Sequence, residues 1–187
     1  MPADLGVLTL VLLVATVLTR VRLLSKSGVQ AFKFGELDKT DFLIPPFALF
    51  YFYLAFANAF GWPTPVHAWV HSVSLAWLGV VFCLAGLTLL FLSLVAFGRS
   101  FRVGIDTNRP DKLVTSGVFA VTRNPIYVGF GFVLLGELFI DPHWVLLLYL
   151  FAGIALFHRQ VLREESFLRE HYGNEYELYC SRVRRYL

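Results

Sequence analysis

Charge is scarce in this chain. Asp, Glu, Lys and Arg make up 16% of its 187 residues, where a soluble domain carries about a quarter. Water is therefore excluded as the solvent of most of its surface. The formal charge of +3 comes from basic residues spread over several loops, with no single stripe, which argues against a nucleic-acid partner. Cysteine is scarcer still. Cys83 and Cys180 form neither a CxxC pair nor a metal-ligand spacing and read as free thiols. A glycine-rich phosphate loop, a dinucleotide fingerprint, an HExxH helix and a Ser-His-Asp order are all missing. His67 and His71 stand one helical turn apart without further ligands, so they read as structural and no metal site is expected. Internal repeats and low-complexity tracts are absent. The first apolar stretch is preceded by Asp4 rather than by Lys or Arg, and no small-residue cleavage site follows it. It reads as a retained membrane helix rather than a signal peptide.

What is abundant is apolar. Hydrophobic residues reach 57% and aromatics 17%, with 19 Phe. Five apolar segments follow one another: about Leu5–Leu24, Phe42–Phe60, Trp69–Phe97, Pro125–Ile140 and Trp144–Phe157. The last two are short for a span of about 20 residues and are joined only by Asp141-Pro142-His143, so an antiparallel helical hairpin is expected. The expected fold is an all-α integral membrane protein of about five transmembrane helices, with that hairpin near its C-terminus and amphipathic helices on the cytoplasmic side. The first three helices, residues 1–97, form one part and residues 98–187 a catalytic half. With five crossings, all 16 Lys and Arg fall on one side. The positive-inside rule makes that side cytoplasmic and puts the N-terminus outside, in a bacterial inner membrane. Trp62, Trp69 and Trp144 then lie near the outer ends, as an aromatic belt. Glu137, close to Asp141 at the end of the fourth segment, reads as an interface carboxylate.

Polar residues concentrate in two stretches, Gly98–Tyr127 and His158–Leu187. Because both ends of a hairpin lie on one side, Arg123-Asn124-Pro125-Ile126-Tyr127 must sit near His158-Arg159 and Arg163-Glu164-Glu165. Asn124 suits an N-cap and Pro125 the first helical position. Free amides at that start, with Arg123 beside them, favour an anion. Tyr127 offers either an interface aromatic or a ring face for a cation. Glu164 and Glu165 point about 100° apart on a helix, so one of the two faces a pocket. Arg159 and Arg163 share a helical face. Gly173 marks a helix stop, and Glu175–Leu187 is expected to form a short helix in the membrane interface, with Tyr176 and Tyr179 among its apolar residues.

The ordered set Leu113-Val114-Thr115-Ser116-Gly117-Val118-Phe119, Arg123-Asn124-Pro125-Ile126-Tyr127-Val128-Gly129, Glu164-Glu165 and Tyr172-Gly173-Asn174-Glu175-Tyr176 resembles the isoprenylcysteine carboxyl methyltransferase family, within a wider group that includes phospholipid N-methyltransferases. The resemblance covers roughly the C-terminal half. It implies S-adenosylmethionine as methyl donor and a lipophilic acceptor, either a small molecule or a lipid-modified substrate, reached from the bilayer lipids. It also implies that Lys112, Leu113 and Val114 hold the adenine end. Phe119, Arg123, Asn124, Pro125, Ile126 and Tyr127 would line the donor pocket, with Glu164 and Glu165 at its acidic side. Tyr127, Arg159 and Arg163 are the candidates for the reacting end. The sequence departs from the family pattern at Asn124, where a His is usual, at Phe119, where a Tyr is usual, and at Gln160, near which a substrate-side Arg falls. The alternatives are an NADPH-dependent reductase of the broader membrane group and a non-catalytic membrane interaction protein.

Overall fold

The structure, a computed structural model, describes residues 1–26, 44–97 and 113–187. Among these residues it holds six α-helices: α1 (Pro2–Lys26), α2 (Ile44–Phe60), α3 (Val73–Phe97), α4 (Pro125–Ile140), α5 (Trp144–Tyr172) and α6 (Asn174–Arg182). A short 3₁₀ helix, Gly117–Ala120, precedes α4. The linker between the first two segments and most of the long polar loop, including Lys112, lie outside the described residues. Runs of Leu, Val, Phe and Ala give these segments no polar side chain to satisfy the backbone. In an apolar solvent only the internal i to i−4 ladder can do so.

Among the described residues three helices are long and apolar enough to cross a membrane: Pro2–Leu23 of α1, α3, and α5. At 25 residues, α3 is about 37 Å long against a hydrocarbon core of about 30 Å. Two further helices are apolar but shorter, Ala48–Phe60 and Pro125–Ile140. Val81, Leu84, Phe91 and Val95 on α3 and Leu148, Phe151 and Ile154 on α5 are all exposed. In water they would be an aggregating surface; in lipid they are solvated. The chain is an integral membrane protein.

The structure corrects the expected limits. The third helix starts at Val73 rather than Trp69, and α5 runs unbroken from Trp144 to Tyr172. Its 29 residues carry the helix well past the apolar stretch, because Arg, Glu and Leu are as good helix formers as the residues before them. The last helix ends at Arg182, not at the chain end, and Val183 is extended.

The tightest helix pair is α3 against α4. A Cβ placed on Gly79 would lie 2.5 Å from the Gly136 carbonyl oxygen, and one on Gly86 would lie 2.5 Å from the Gly129 carbonyl oxygen. Two backbones can pass this closely only where both carry hydrogen instead of a side chain. Cys83, fully buried between these glycines, packs on Gly136. The first helix leans on the pair. Val7 and Leu10 join Tyr51, Leu54, Val133, Leu138, Leu146 and Tyr149 in one buried cluster at the hairpin-turn end. At the opposite end, Leu90 and Leu94 pack with Val17, Val21, Ile126 and Phe130.

The hairpin turn is tied on both sides. His143 caps α5, its Nδ1 accepting from the Leu146 amide at 3.3 Å. The Trp69 amide donates to the Pro142 carbonyl at 2.8 Å. Glu137 is not an interface carboxylate. Only 3% exposed, it is enclosed where α1 crosses α3 and α4, with Cys83 Sγ 3.8 Å from Oε1 and Gly6 against its carboxyl group. The sequence could not show this, since it depends on where α1 crosses.

The glycine contacts make a prediction. A Cβ at Gly136 would stand 2.5 Å from Cys83 Sγ and 2.6 Å from the Gly79 carbonyl oxygen, whereas one at Gly131 meets nothing within 4 Å. Gly136→Ala is expected to cost about 2 kcal/mol, roughly 4–8 °C in Tm, by overpacking. Gly131→Ala should leave Tm unchanged or raise it, because alanine is the better helix former. Thermal unfolding of the two variants in detergent, followed by circular dichroism, checks this.

Candidate functional site

Away from the hairpin turn, the start of α4 meets the second half of α5, α6 and the chain end. Pro125 occupies the first turn of α4, where its missing N–H costs nothing. Asn124 holds the capping position, but its side chain makes no cap hydrogen bond. Its amide instead donates to the Arg185 carbonyl at 3.1 Å and to Glu165 Oε1 at 3.4 Å.

Glu165 organises this cluster. It is 2% exposed, and both of its oxygens are engaged. Oε1 receives Arg123 Nη2 at 3.1 Å, and Oε2 receives Arg185 Nε at 3.0 Å and Nη2 at 2.8 Å. A buried carboxylate is tolerable only with such compensation. Glu164 lies about 100° round the helix and is half-buried. Its Oε1 accepts from the Tyr127 hydroxyl at 2.5 Å and from Gln160 Nε2 at 3.1 Å. The Tyr127 ring lies 5.8 Å from that of Phe157, which in turn stacks on Phe130 at 5.6 Å. An aromatic wall therefore runs from Glu164 down between α4 and α5.

The roof is built from α6. Gly173, with φ +50°, breaks α5 and starts the new helix, a conformation glycine adopts without strain. The turn lets Tyr176 and Tyr179 face inward, where both are buried; they do not face an interface. Tyr179 Oη donates to the Phe119 carbonyl at 2.7 Å. Beyond α6 the last residues run back across the site, with an isolated parallel bridge between Thr122 and Arg184. Tyr186 Oη lies 2.8 Å from His158 Nδ1.

The residues expected from sequence thus separate by direction. Arg123, Asn124, Tyr127, Glu164 and Glu165 come together. Phe119 is buried edge-on against Phe97, with centroids 4.6 Å apart, and Ile126 packs on Leu90 and Leu94. Their side chains serve the core. Pro125 is fully buried at the helix start. Leu113 and Val114 are half-buried ahead of the 3₁₀ helix, and Lys112 lies outside the described residues. Arg159 and Arg163 are on the exposed face of α5, while Gln160 on the other face reaches Glu164. Gln160 stands one turn before Glu164, a spacing that marks it as a partner. Thr122, Tyr179 and Arg185 carry no local signal, because Thr122 and Tyr179 act across some 60 residues of chain and the Arg185 side chain across 20. Among the described residues no three or more His, Cys, Asp or Glu gather into a group able to hold a metal.

Residues 74–175, more than half of the chain, match the family model described as phospholipid methyltransferase. Curated relatives agree in kind. One, from Oryza sativa subsp. japonica and described as "Probable protein-S-isoprenylcysteine O-methyltransferase", is 33% identical over 116 residues, 58% of this chain and 58% of the relative. The protein-S-isoprenylcysteine O-methyltransferase of Schizosaccharomyces pombe is 33% identical over 94 residues, 49% of this chain and 40% of the relative. The chain spans less than two thirds of the length of these relatives. No solved structure matches it.

The Tyr179 contact is testable through pH. Burial pushes this phenol up to about 12, above the usual 10. The neutral donor is thus favoured in the folded state. Its contribution is full below pH 10 and fades as pH rises towards 12. Tyr179→Phe should lower stability by about 1 kcal/mol at pH 7. The gap between the two proteins should close between about pH 10 and 12, as read from denaturant midpoints.

Proposed function

The chain belongs to the phospholipid methyltransferase family, and from that premise we propose that it is a membrane methyltransferase that draws on S-adenosylmethionine and acts on a lipophilic acceptor. The observation that carries the reading is the Tyr127–Glu164 hydrogen bond of 2.5 Å. It joins the start of α4 to α5 inside the family-matched residues, and sets a half-buried carboxylate beside an aromatic ring.

The residues present suit a sulfonium donor. A carboxylate complements its positive charge, and the face of Tyr127 attracts a cation. When bound, S-adenosylmethionine supplies a methyl group already activated for displacement. The protein's part is then positioning and exclusion of water. Glu164, held by Tyr127 and Gln160, fixes the donor side. Arg123 and Asn124 fix the start of α4 from which Tyr127 projects. Leu113 and Val114, with Lys112, hold the adenine end on this reading. Phe130 and Phe157 line the approach of the acceptor from the bilayer. Arg159 and Arg163 on the exposed face of α5 are placed to meet an anionic acceptor or lipid headgroups at the membrane surface.

The names of the relatives point to a lipid-modified cysteine with a free carboxylate, an acceptor that needs no base. A thiol or an uncharged amine fits the same donor arrangement. In this reading α2 and α4 cross the membrane with α1, α3 and α5. That gives five crossings, the site on the cytoplasmic face of a bacterial inner membrane and the N-terminus outside. All Lys and Arg then fall on the cytoplasmic side.

Titration of the purified protein with S-adenosylhomocysteine and with NADPH tests the proposal. Binding of S-adenosylhomocysteine is the expected result; binding of NADPH alone overturns the methyltransferase reading in favour of a reductase. Glu164→Gln is expected to weaken S-adenosylmethionine binding about tenfold, or about 1.4 kcal/mol, and binding of S-adenosylhomocysteine, which lacks the sulfonium charge, by less. Tyr127→Ala should weaken S-adenosylmethionine binding more than Tyr127→Phe, which keeps the ring. Incubating membranes with isotopically labelled methyl donor, with and without the protein, identifies the acceptor.

A further inference from the structure

We propose that Arg185 is a positioning residue for the donor site: acting through Glu165, it clasps the chain end across the start of α4. The inference rests on the donor-site reading above.

Residues 183–187 form a strap. Val183 is extended, with φ −123° and ψ 135°. The Arg123 amide donates to the Arg184 carbonyl at 2.9 Å. Thr122 Oγ1 and Asn124 Nδ2 both donate to the Arg185 carbonyl, at 3.2 and 3.1 Å. One isolated bridge is little to hold an extended segment. Two side chains of the strap tie it further: Tyr186 Oη lies 2.8 Å from His158 Nδ1, and the Arg185 fork places Nε at 3.0 Å and Nη2 at 2.8 Å on the same oxygen of buried Glu165. A guanidinium makes this paired contact and an ammonium does not.

The carboxylate so engaged is the hub of the site. Its other oxygen holds Arg123 and Asn124, which begin α4, and its neighbour on α5 is Glu164. Releasing Arg185 would leave a 2%-exposed carboxylate short of half its donors, free to turn and to shift Asn124 and, one residue along, Glu164. The two adjacent acids thereby take different work. Glu164 meets the donor; Glu165 keeps the start of α4, α5 and the strap in register. The family match covers residues 74–175, and the strap lies beyond it.

The test uses the full chain in detergent. Val121 and Leu187 are exposed, at 67% and 62%, and flank the bridge. Val121→Cys and Leu187→Cys, with Cys180→Ser and the fully buried Cys83 left in place, accept a spin-label pair whose dipolar broadening reports the docked strap. Tm and the Kd for S-adenosylhomocysteine are read on the unlabelled chain. Arg185→Gln is expected to reduce the broadening, to lower Tm by a few degrees as buried Glu165 loses two of its donors, and to raise the Kd about tenfold at a temperature where both proteins are fully folded. Arg185→Lys should fall between, and Arg182→Gln, on the exposed side of α6, should change none of these. Unchanged broadening in Arg185→Gln overturns the clasp. Reduced broadening with an unchanged Kd, measured where both proteins are fully folded, overturns the positioning role. Absence of S-adenosylhomocysteine binding in the wild type brings down the donor reading and the positioning role with it, and reduced broadening would then mark the strap as a structural tie alone.

Discussion

A three-residue turn governs the C-terminal half of this molecule. Asp141, Pro142 and His143 leave α4 and α5 no freedom but to run antiparallel and adjacent, and the His143 cap and the Trp69–Pro142 hydrogen bond hold the turn itself. From there the two helices run to different lengths, 16 and 29 residues. The start of α4 therefore meets the middle of α5's polar stretch rather than its end. The surplus of α5 carries α6 back over the junction. Every polar contact of the site follows from that difference in length. Because α4 is also locked to α3 through paired glycines, its start is held in place, and α5, α6 and the last residues gather round it.

Electrostatics then sorts what gathers there. At a membrane face, a carboxylate shielded from water costs several kcal/mol unless paired, and Glu165 is matched by Arg123, Arg185 and Asn124 together. Glu164, one residue earlier, is turned towards two neutral donors instead. Neutral hydrogen bonds orient a carboxylate without cancelling its charge. On the proposed reading Glu164 is the acid that meets the donor's cation, next to one already paired. Two adjacent acids in the sequence look redundant, but the 100° step of the helix makes them electrostatically unlike.

What sequence could and could not show divides along this line. Helices α1 to α4 were legible within a few residues, since apolar runs bounded by Gly, Pro and charge have few other solutions in lipid. The meeting of Arg123–Tyr127 with Glu164–Glu165 was legible too, because a minimal turn permits no other topology. Side-chain direction was not. Phe119 and Ile126 sit amid the motif yet turn into the core against Phe97 and Leu90, while Gln160, outside it, faces the site. Asn124 has the composition of a cap, yet its amide serves Glu165 and the chain end. Tyr176 and Tyr179 have the spacing of an interfacial stripe, yet Gly173 turns them inward. Glu137 looked peripheral because its enclosure depends on α1, more than 100 residues away in the sequence. Gln160 apart, which lies one turn from Glu164, the deciding contacts are remote, and local pattern carries no information about them.

The placement of the aromatic wall separates two routes into the proposed site. Tyr127, Phe157 and Phe130 step away from Glu164 along the facing sides of α4 and α5, so their surface leads towards lipid. The opposite side is bordered by polar and charged groups: Arg123, Arg185, Thr122, and the His158–Tyr186 pair. A water-soluble, charged donor suits the second route and an acyl- or prenyl-like chain the first. The carboxylate of Glu164 and the ring of Tyr127 stand where the two meet. An enzyme that joins a soluble donor to a lipid acceptor needs such a boundary, with its reacting atoms at the line between solvents. Here the boundary is set by the hydroxyl of Tyr127, which belongs to the aromatic wall by its ring and to the polar cluster by its oxygen.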